Sequence, residues 1–417
     1  MQVHREVICP ALDFAPLLLS EDDRLPTDIE LVMAYRGQLD PQKMASAWKA
    51  GLAHFPHLTG IIRNEEQSSR SWIVPVQGDI MVEWCQSDAV GHFDELKHLS
   101  YDQQSSRWIP PMLPESVAGA LWQSRLTTMP DADLSVIGIR VSHAAVDGAG
   151  LALFIQHCST AVYGGVPVPV CHDRSVTFPD AVYSHTPPPQ GYSCVGENNL
   201  WSRDVLAKST PVLATVPVER VMNVFESNSV LDARLRLAAW LCLLVAECQP
   251  QTEEVALWCD ARGVCHVPVH YTGNAGCFLH FPLREAGADT LVKKLRGVAT
   301  RSGFARIAET YRQLKNAEIS DHPFFWNGLQ RHVLQLNLVP HVVGGTDFGI
   351  GLPGYAMLLS RNSSGIRIAF TPDGKRLMME LSLGDETNHD LRERLLSSKL
   401  FAEIWCDGVN SNLDPDH

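Results

Sequence analysis

Apolar residues recur along this chain at two periods, and the alternation between them predicts an α/β protein. Residues 40–53 (DPQKMASAWKAGLA) carry apolar positions at helical spacing behind Asp40, a good N-cap, and Pro56 ends the helix they predict. Residues 134–141 (LSVIGIRV) are rich in β-branched side chains and read as a largely buried strand. Residues 148–163 (GAGLALFIQHCSTAVY) return to helical spacing, closed by Gly164-Gly165. A strand, a short turn and a helix therefore bracket positions 143–147. Further on, residues 228–248 predict a long helix ended by Pro250, and residues 254–259 a strand. Residues 290–297, 304–314 and 391–405 are further helical candidates, while 367–370 and 377–383 alternate like a hairpin around Pro372-Asp373-Gly374.

Between residues 164 and 192 the pattern breaks. Pro167, Pro169, Pro179 and the run Pro187-Pro188-Pro189 replace apolar stretches, which predicts a semi-extended crossover. A chain of 417 residues is too long for one ordinary core. The expected division is an N-terminal domain over 1–180, a linker over 181–210 and a C-terminal domain over 211–417. Helices and strands mixed in both halves favour layered α/β architecture.

Composition narrows the function. The net charge is −13 and no block of five like charges occurs, so the clustered cations that displace phosphate counterions are missing and no nucleic-acid partner is expected. Eleven cysteines are scattered without the pairing of a secreted scaffold, as expected of buried thiols in a reducing compartment. The densest group, Cys259, Cys265, His266, Cys277 and His280, lacks the spacings of a zinc site, and no metal is expected. The first sixteen residues show no basic segment followed by an apolar run. The longest apolar stretch, 235–246, is broken by Arg236 and is too short to span a bilayer. A cytoplasmic protein with no membrane partner is the expectation.

Three constellations carry chemistry. The first is Ser142-His143-Ala144-Ala145-Val146-Asp147-Gly148, at the end of the buried strand. A neutral imidazole suits general-base work near neutral pH, Asp147 can turn inward to hold the loop, and Gly148 would permit a bend that a Cβ hinders. Seventeen histidines make one chance His-x-x-x-Asp ordinary, and His98-Leu99-Ser100-Tyr101-Asp102 is such a decoy, with no apolar strand before it and no Gly after it. The second is Asp347-Phe348-Gly349-Ile350-Gly351-Leu352-Pro353, a turn of fixed shape. The third is Asp260-Ala261-Arg262 followed by Pro268 and Tyr271-Thr272-Gly273-Asn274.

Together these segments resemble the plant-type and fungal BAHD acyltransferases, which use acyl-CoA. That family has His-x-x-x-Asp-Gly in mid-chain, then Asp-x-Arg and Tyr-x-Gly-Asn, then Asp-Phe-Gly-Trp-Gly near the end, in the order and separation seen here. The segment 40–63 is also similar to the family's first helix and its exit, so the resemblance spans nearly the whole chain. It implies two chloramphenicol-acetyltransferase-like domains, with mixed sheets flanked by helices, joined by a crossover and enclosing a channel. His143 would be the general base at mid-channel, between acyl-CoA from one face and the acceptor from the other. Asp147, Gly148, Asp347 and Gly349 would support the site structurally, with Arg262 the salt-bridge partner of Asp147. Acyl-CoA would be a co-substrate, no cofactor would be bound permanently, and the protein would work as a monomer.

The expected reaction moves an acyl group to a hydroxyl, less readily an amine, of an apolar specialised metabolite. The alternatives are a retasked member of the fold that cyclises or isomerises a natural-product intermediate without a CoA donor, and a binding protein that keeps the channel. Ile350 departs from the family, standing where it has Trp. It keeps apolar bulk but has no N–H, and a lost oxyanion donor costs on the order of 3 kcal/mol. Nonribosomal peptide condensation domains share the fold but carry His-His where this chain has Ser142-His143, which favours the CoA-using branch. Lys293, Lys294, Arg296, Arg301 and Arg306 are a candidate patch for CoA phosphates, or simply a solvated helix face.

Overall fold

The structure is a computed structural model. It describes residues 2–19, 28–65, 71–88, 90–99, 101–177, 192–194, 211–264, 266–283, 287–319, 324–326, 332–341, 343, 345–359, 365–383, 385–398, 400–401 and 403–405. Contacts divide the chain into two units. Unit 1 comprises Met1–Thr177, Pro268–Ala275 and Val342–Ser360; unit 2 comprises Phe178–Val267, Gly276–His341 and Arg361–His417. Two short pieces that the sequence assigns to the C-terminal domain, one holding Tyr271 to Asn274 and the other Asp347 to Gly351, thus fold with unit 1. Most of the linker predicted over 181–210 lies outside the described residues.

Unit 1 is built on a six-stranded mixed sheet in the order Gln2–Pro10, Asp79–Gln86, Trp122–Met129, Leu134–Ser142, Asp28–Arg36, Tyr355–Leu358. Only the second and third strands run parallel. Leu134–Ser142 is covered on both faces, which is why its sequence is a continuous apolar run and not an alternating one. Beside the sheet, the helices Pro41–His54 and Gly148–Val162 pack closely. A Cβ on Gly51 would collide with the Cys158 sulfur, so the absence of a side chain sets how near the helices come. Trp48, 1% exposed, anchors this core, stacked on Phe154 and edge-on to Trp122 and Phe348. Asp40 caps the first helix, its Oδ1 accepting from the amides of Gln42 and Lys43.

Unit 2 has a seven-stranded mixed sheet in the order Gly276–Pro282, Glu254–Asp260, Val333–His341, Gly365–Phe370, Arg376–Ser382, Val212–Pro217, Glu403–Trp405. The predicted hairpin is present, with Gly365–Phe370 antiparallel to Arg376–Ser382. The long helix Val230–Cys248 starts at Ser229, whose side chain accepts from the Asp232 amide, and packs against Ala288–Gly297. The helix predicted over 391–405 is corrected. It runs Asp385–Ser397, and Glu403–Trp405 is a strand paired with Val212–Pro217, a partner far away in sequence. Among the described residues no helix is long and apolar enough to cross a membrane.

Candidate active site

The His143 loop lies between the end of the strand Leu134–Ser142 and the start of the helix Gly148–Val162. A strand end and a helix start leave backbone groups with no regular partner, so the loop must be tied from elsewhere. Ser142 donates its amide to the Leu121 carbonyl at 3.0 Å, and the Ala145 amide turns back to the Ser142 carbonyl at 3.0 Å. Two side chains from other segments then capture loop carbonyls. Asn274 Nδ2 donates to the His143 oxygen at 2.8 Å, and Arg174 Nη2 to the Ala145 oxygen at 2.6 Å. Asp147 is buried and caps the helix, its Oδ1 accepting from the Gly150 amide at 2.8 Å and its Oδ2 from the Ala275 amide at 3.4 Å. His143 itself stays half-buried while Ala144 to Asp147 are sealed in. The loop is fixed in its backbone and carries one half-buried imidazole.

The role expected for Gly148 is corrected. Its φ is not left-handed, and a Cβ there would meet nothing within 4 Å. The glycine that matters sterically is Gly150, where a Cβ would collide with the Thr272 carbonyl. The helix start and the segment 268–275 approach each other too closely for a side chain.

The Asp347 turn sits at the other end of the same helix. The Asp347 carbonyl accepts from Ser159 Oγ at 2.8 Å, and its amide donates back to that oxygen at 3.1 Å. Ser159 lies twelve residues beyond Asp147, about 18 Å along the axis. The turn organises itself: Asp347 Oδ1 accepts from the amides of Gly349, Ile350 and Gly351 at 2.7, 3.1 and 2.8 Å. Gly349 and Gly351 have φ near +97° and +96°, a region closed to most side chains. Phe348, 2% exposed, plugs into Trp48 and Tyr35. Burial works against the charged form of Asp347, but the hydrogen bonds from Tyr163 and the three amides outweigh it and hold the carboxyl below its usual range.

No family model matches the sequence, and no curated protein matches it at a significant level. Solved structures do. F. graminearum TRI101 in complex with coenzyme A and deoxynivalenol aligns over 93% of this chain and 99% of its own, with a TM-score of 0.72 and 16% identity. Vinorine synthase aligns over 96% and 98%, at 0.64 and 16%. The first condensation domain of the CDA synthetase aligns over 93% and 95%, at 0.59 and 16%. This chain has their fold. It is the chloramphenicol-acetyltransferase-like fold that the three sequence segments imply.

Within that fold, unit 1 brings together His143, Asp147 and the segment 271–275, and it places Asp347 and Gly349 at the far end of their shared helix. Arg262 follows the strand Glu254–Asp260 in unit 2, its Nη1 on Asp260 Oδ1 at 3.0 Å. The basic stretch disperses. Arg296 pairs with Asp232, and Arg306 donates to the His280 carbonyl at 2.9 Å and lies over the Phe281 ring. Lys294 and Arg306 line an open cavity of about 440 Å³ with Ser302 and Gly303. Among the described residues no His, Cys, Asp or Glu group could hold a metal ion.

Sequence reasoning missed two features beside the His143 loop. The first is Arg174, only 3% exposed although it falls in the proline-rich stretch read as a crossover. The second is a set of imidazoles around Phe55. His57, His157 and His172 lie 6.0, 5.2 and 5.5 Å from its ring, and His54 lies 5.2 Å from His157. Burial lowers the pKa of His57, His157 and His172. His157 is pushed down to about 4, with His54, His172 and His270 adding to the effect, and His57 is lowered further by His172 and Arg174. His-Phe-Pro-His at 54–57 was the available signal, but a lone motif of that kind has no period to mark it.

Proposed function

We propose that this protein is an acyltransferase that moves an acyl group from acyl-CoA to a hydroxyl of a mostly apolar small molecule, an amine being the lesser acceptor, with His143 as general base. The carrying observation is the half-buried imidazole on a loop whose carbonyls, at His143 and Ala145, are both tied by other segments. A base must be held within hydrogen-bond reach of the proton it takes, and a tied loop supplies that constraint.

In the reaction the acceptor O–H proton passes to the imidazole as the oxygen attacks the thioester carbonyl. The tetrahedral intermediate then expels the CoA thiolate, the C–S bond breaks, and the imidazolium proton goes to sulfur. The products are the ester and free CoA, and the base returns neutral. Both substrates meet in one ternary complex, so no acyl-enzyme is needed. Asp147, capping the helix and accepting from Ala275, acts on the loop and not on the substrate. The neighbouring TRI101 structures hold coenzyme A together with T-2 mycotoxin or deoxynivalenol, which supports a CoA donor and a small-molecule acceptor.

The test incubates the protein with acetyl-CoA and a panel of hydroxylated natural products, deoxynivalenol among them, and reads the release of free thiol. Acceptor-dependent release that disappears in His143→Ala is the expected result. Undiminished release by the variant would overturn the assignment of the base. A protein whose melting temperature does not rise with CoA would overturn the donor, since a ligand that binds the native state must stabilise it.

A further inference from the structure

We propose that Arg174 is the positioning residue of the His143 loop, its guanidinium fork locking the Ala145 carbonyl to the Tyr271–Asn274 segment so that the imidazole keeps its aim. This rests on the acyl-transfer reading of the site. Ala145 is fully buried, and its carbonyl lies where neither the strand nor the helix supplies a donor. Arg174 enters from the short turn Arg174–Thr177 and supplies one, Nη2 donating at 2.6 Å. Its other terminal nitrogen, Nη1, donates to the Tyr271 hydroxyl at 3.3 Å, and Cζ lies 5.5 Å from the centre of that ring. One planar cation thus grips the loop with one arm and the neighbouring segment with the other.

Gly273 supplies the independent observation. Its φ is ordinary, so conformational freedom does not explain it. A Cβ built there would fall onto Arg174 Nη1, and the Tyr271 hydroxyl would also be in the way. The space that a side chain at 273 would need is occupied by the guanidinium. The same segment sends Asn274 to the His143 carbonyl, so the carbonyls on either side of Ala144 are both held from 271–274 or through Arg174. Its charge helps to lower the pKa of the buried His57 and His172 imidazoles. Lysine would not replace it, because a single ammonium cannot span two acceptors in a fixed plane. Rotating the peptide at 145 tilts the backbone that carries His143, and a base misplaced by about 1 Å can cost roughly a hundredfold in rate.

The experiment compares wild type with Arg174→Met and Arg174→Lys by steady-state kinetics and by amide hydrogen exchange resolved along the chain. Met preserves much of the length and volume and removes both donors. The expected result for Arg174→Met is a fall in kcat of at least about thirtyfold with KM for acetyl-CoA within about twofold. Faster exchange should be confined to residues 142–150 and 271–275, and Arg174→Lys should recover only part of the rate. Exchange that rises throughout unit 1, or kcat kept within threefold, would overturn the proposal. If Arg174→Met does not fold, Gly273→Ala displaces the same guanidinium without removing it and should give the same local signature. If the wild type transfers no acyl group the functional reading fails by itself, and the exchange pattern still decides whether Arg174 locks the loop.

Discussion

The helix Gly148–Val162 carries a loop at each end, and the two are held in opposite ways. At its start, the His143 loop is tied from outside. Asn274 and Arg174 reach in from other segments, Asp147 reaches out to the Ala275 amide, and the His143 imidazole is half-buried. Near its end, the Asp347 turn is tied from within, one carboxylate gathering three amides of its own turn while Phe348 is driven into the Trp48 core. External ties can aim a side chain because they fix the backbone that carries it. An internal nest spends its polar group on its own backbone and can only hold shape. The first arrangement suits chemistry and the second suits a scaffold, and the two should separate under mutation.

The largest expected effect is on the rate. His143→Ala should lower acyl transfer by about a hundredfold to ten-thousandfold, the range that a positioned base contributes, and leave the denaturation midpoint nearly unchanged. A loss of stability comparable to the loss of rate would mean that His143 holds the loop instead of acting from it.

Acid should act next, on the imidazoles packed around Phe55. The folded-state value of His157, about 4, lies below the ordinary 6.5, so the native state binds fewer protons than the unfolded chain. The stability it contributes is complete above 6.5 and is lost as the pH falls toward 4. His57 works in the same direction. The Asp347 carboxyl is held below its ordinary 3.8, so it stays charged through that window and gives up its contribution only at lower pH. Urea midpoints measured from pH 7 to pH 4 should fall for wild type and fall less for His157→Gln. Equal slopes for the two proteins would remove the imidazoles from the account.

A smaller effect is expected at the scaffold end. Asp347→Ala leaves three amides without their carboxylate, but the turn is partly exposed and water replaces some of the loss. A destabilisation of about 1–2 kcal/mol in urea, with kcat within twofold of wild type, is the expected outcome. A fall in kcat at unchanged stability would place the turn in the reaction.

How much of this was legible in the sequence follows from what each contact requires. The strand into His143 and the helix out of it were readable because a buried strand is a continuous β-branched run and Asp147 is a good cap. Asp347 was readable because its glycines carry the turn. Arg174 was not, since its main partner is a backbone carbonyl, which every residue has, and its surroundings are prolines without a period. Gly148 was misread and Gly150 overlooked because a collision with Thr272 is a fact of three dimensions. Glu403–Trp405 carries no strand signal of its own because its partner strand begins at Val212, and pairing at that separation leaves no local trace. Nothing in the order of residues reveals that 268–275 and 342–360 fold with unit 1.

The smallest effect expected is the one that the sequence made most suspect. Ile350 replaces the tryptophan of the similar family, which raised the prospect of a lost oxyanion donor. Its amide belongs to the Asp347 nest, and its side chain is 36% exposed, with Cδ1 3.5 Å from where a Cβ on Gly37 would stand. Both features lie with Ser159, about 18 Å along the helix from the Asp147 end, beyond the reach of any indole toward an acyl carbon beside His143. Ile350→Trp should therefore change kcat by less than twofold and stability by less than about 0.5 kcal/mol, as surface substitutions usually do. A tenfold gain in kcat from this one change would mean that the two ends of the helix share the reaction, and the distinction drawn between them would fail.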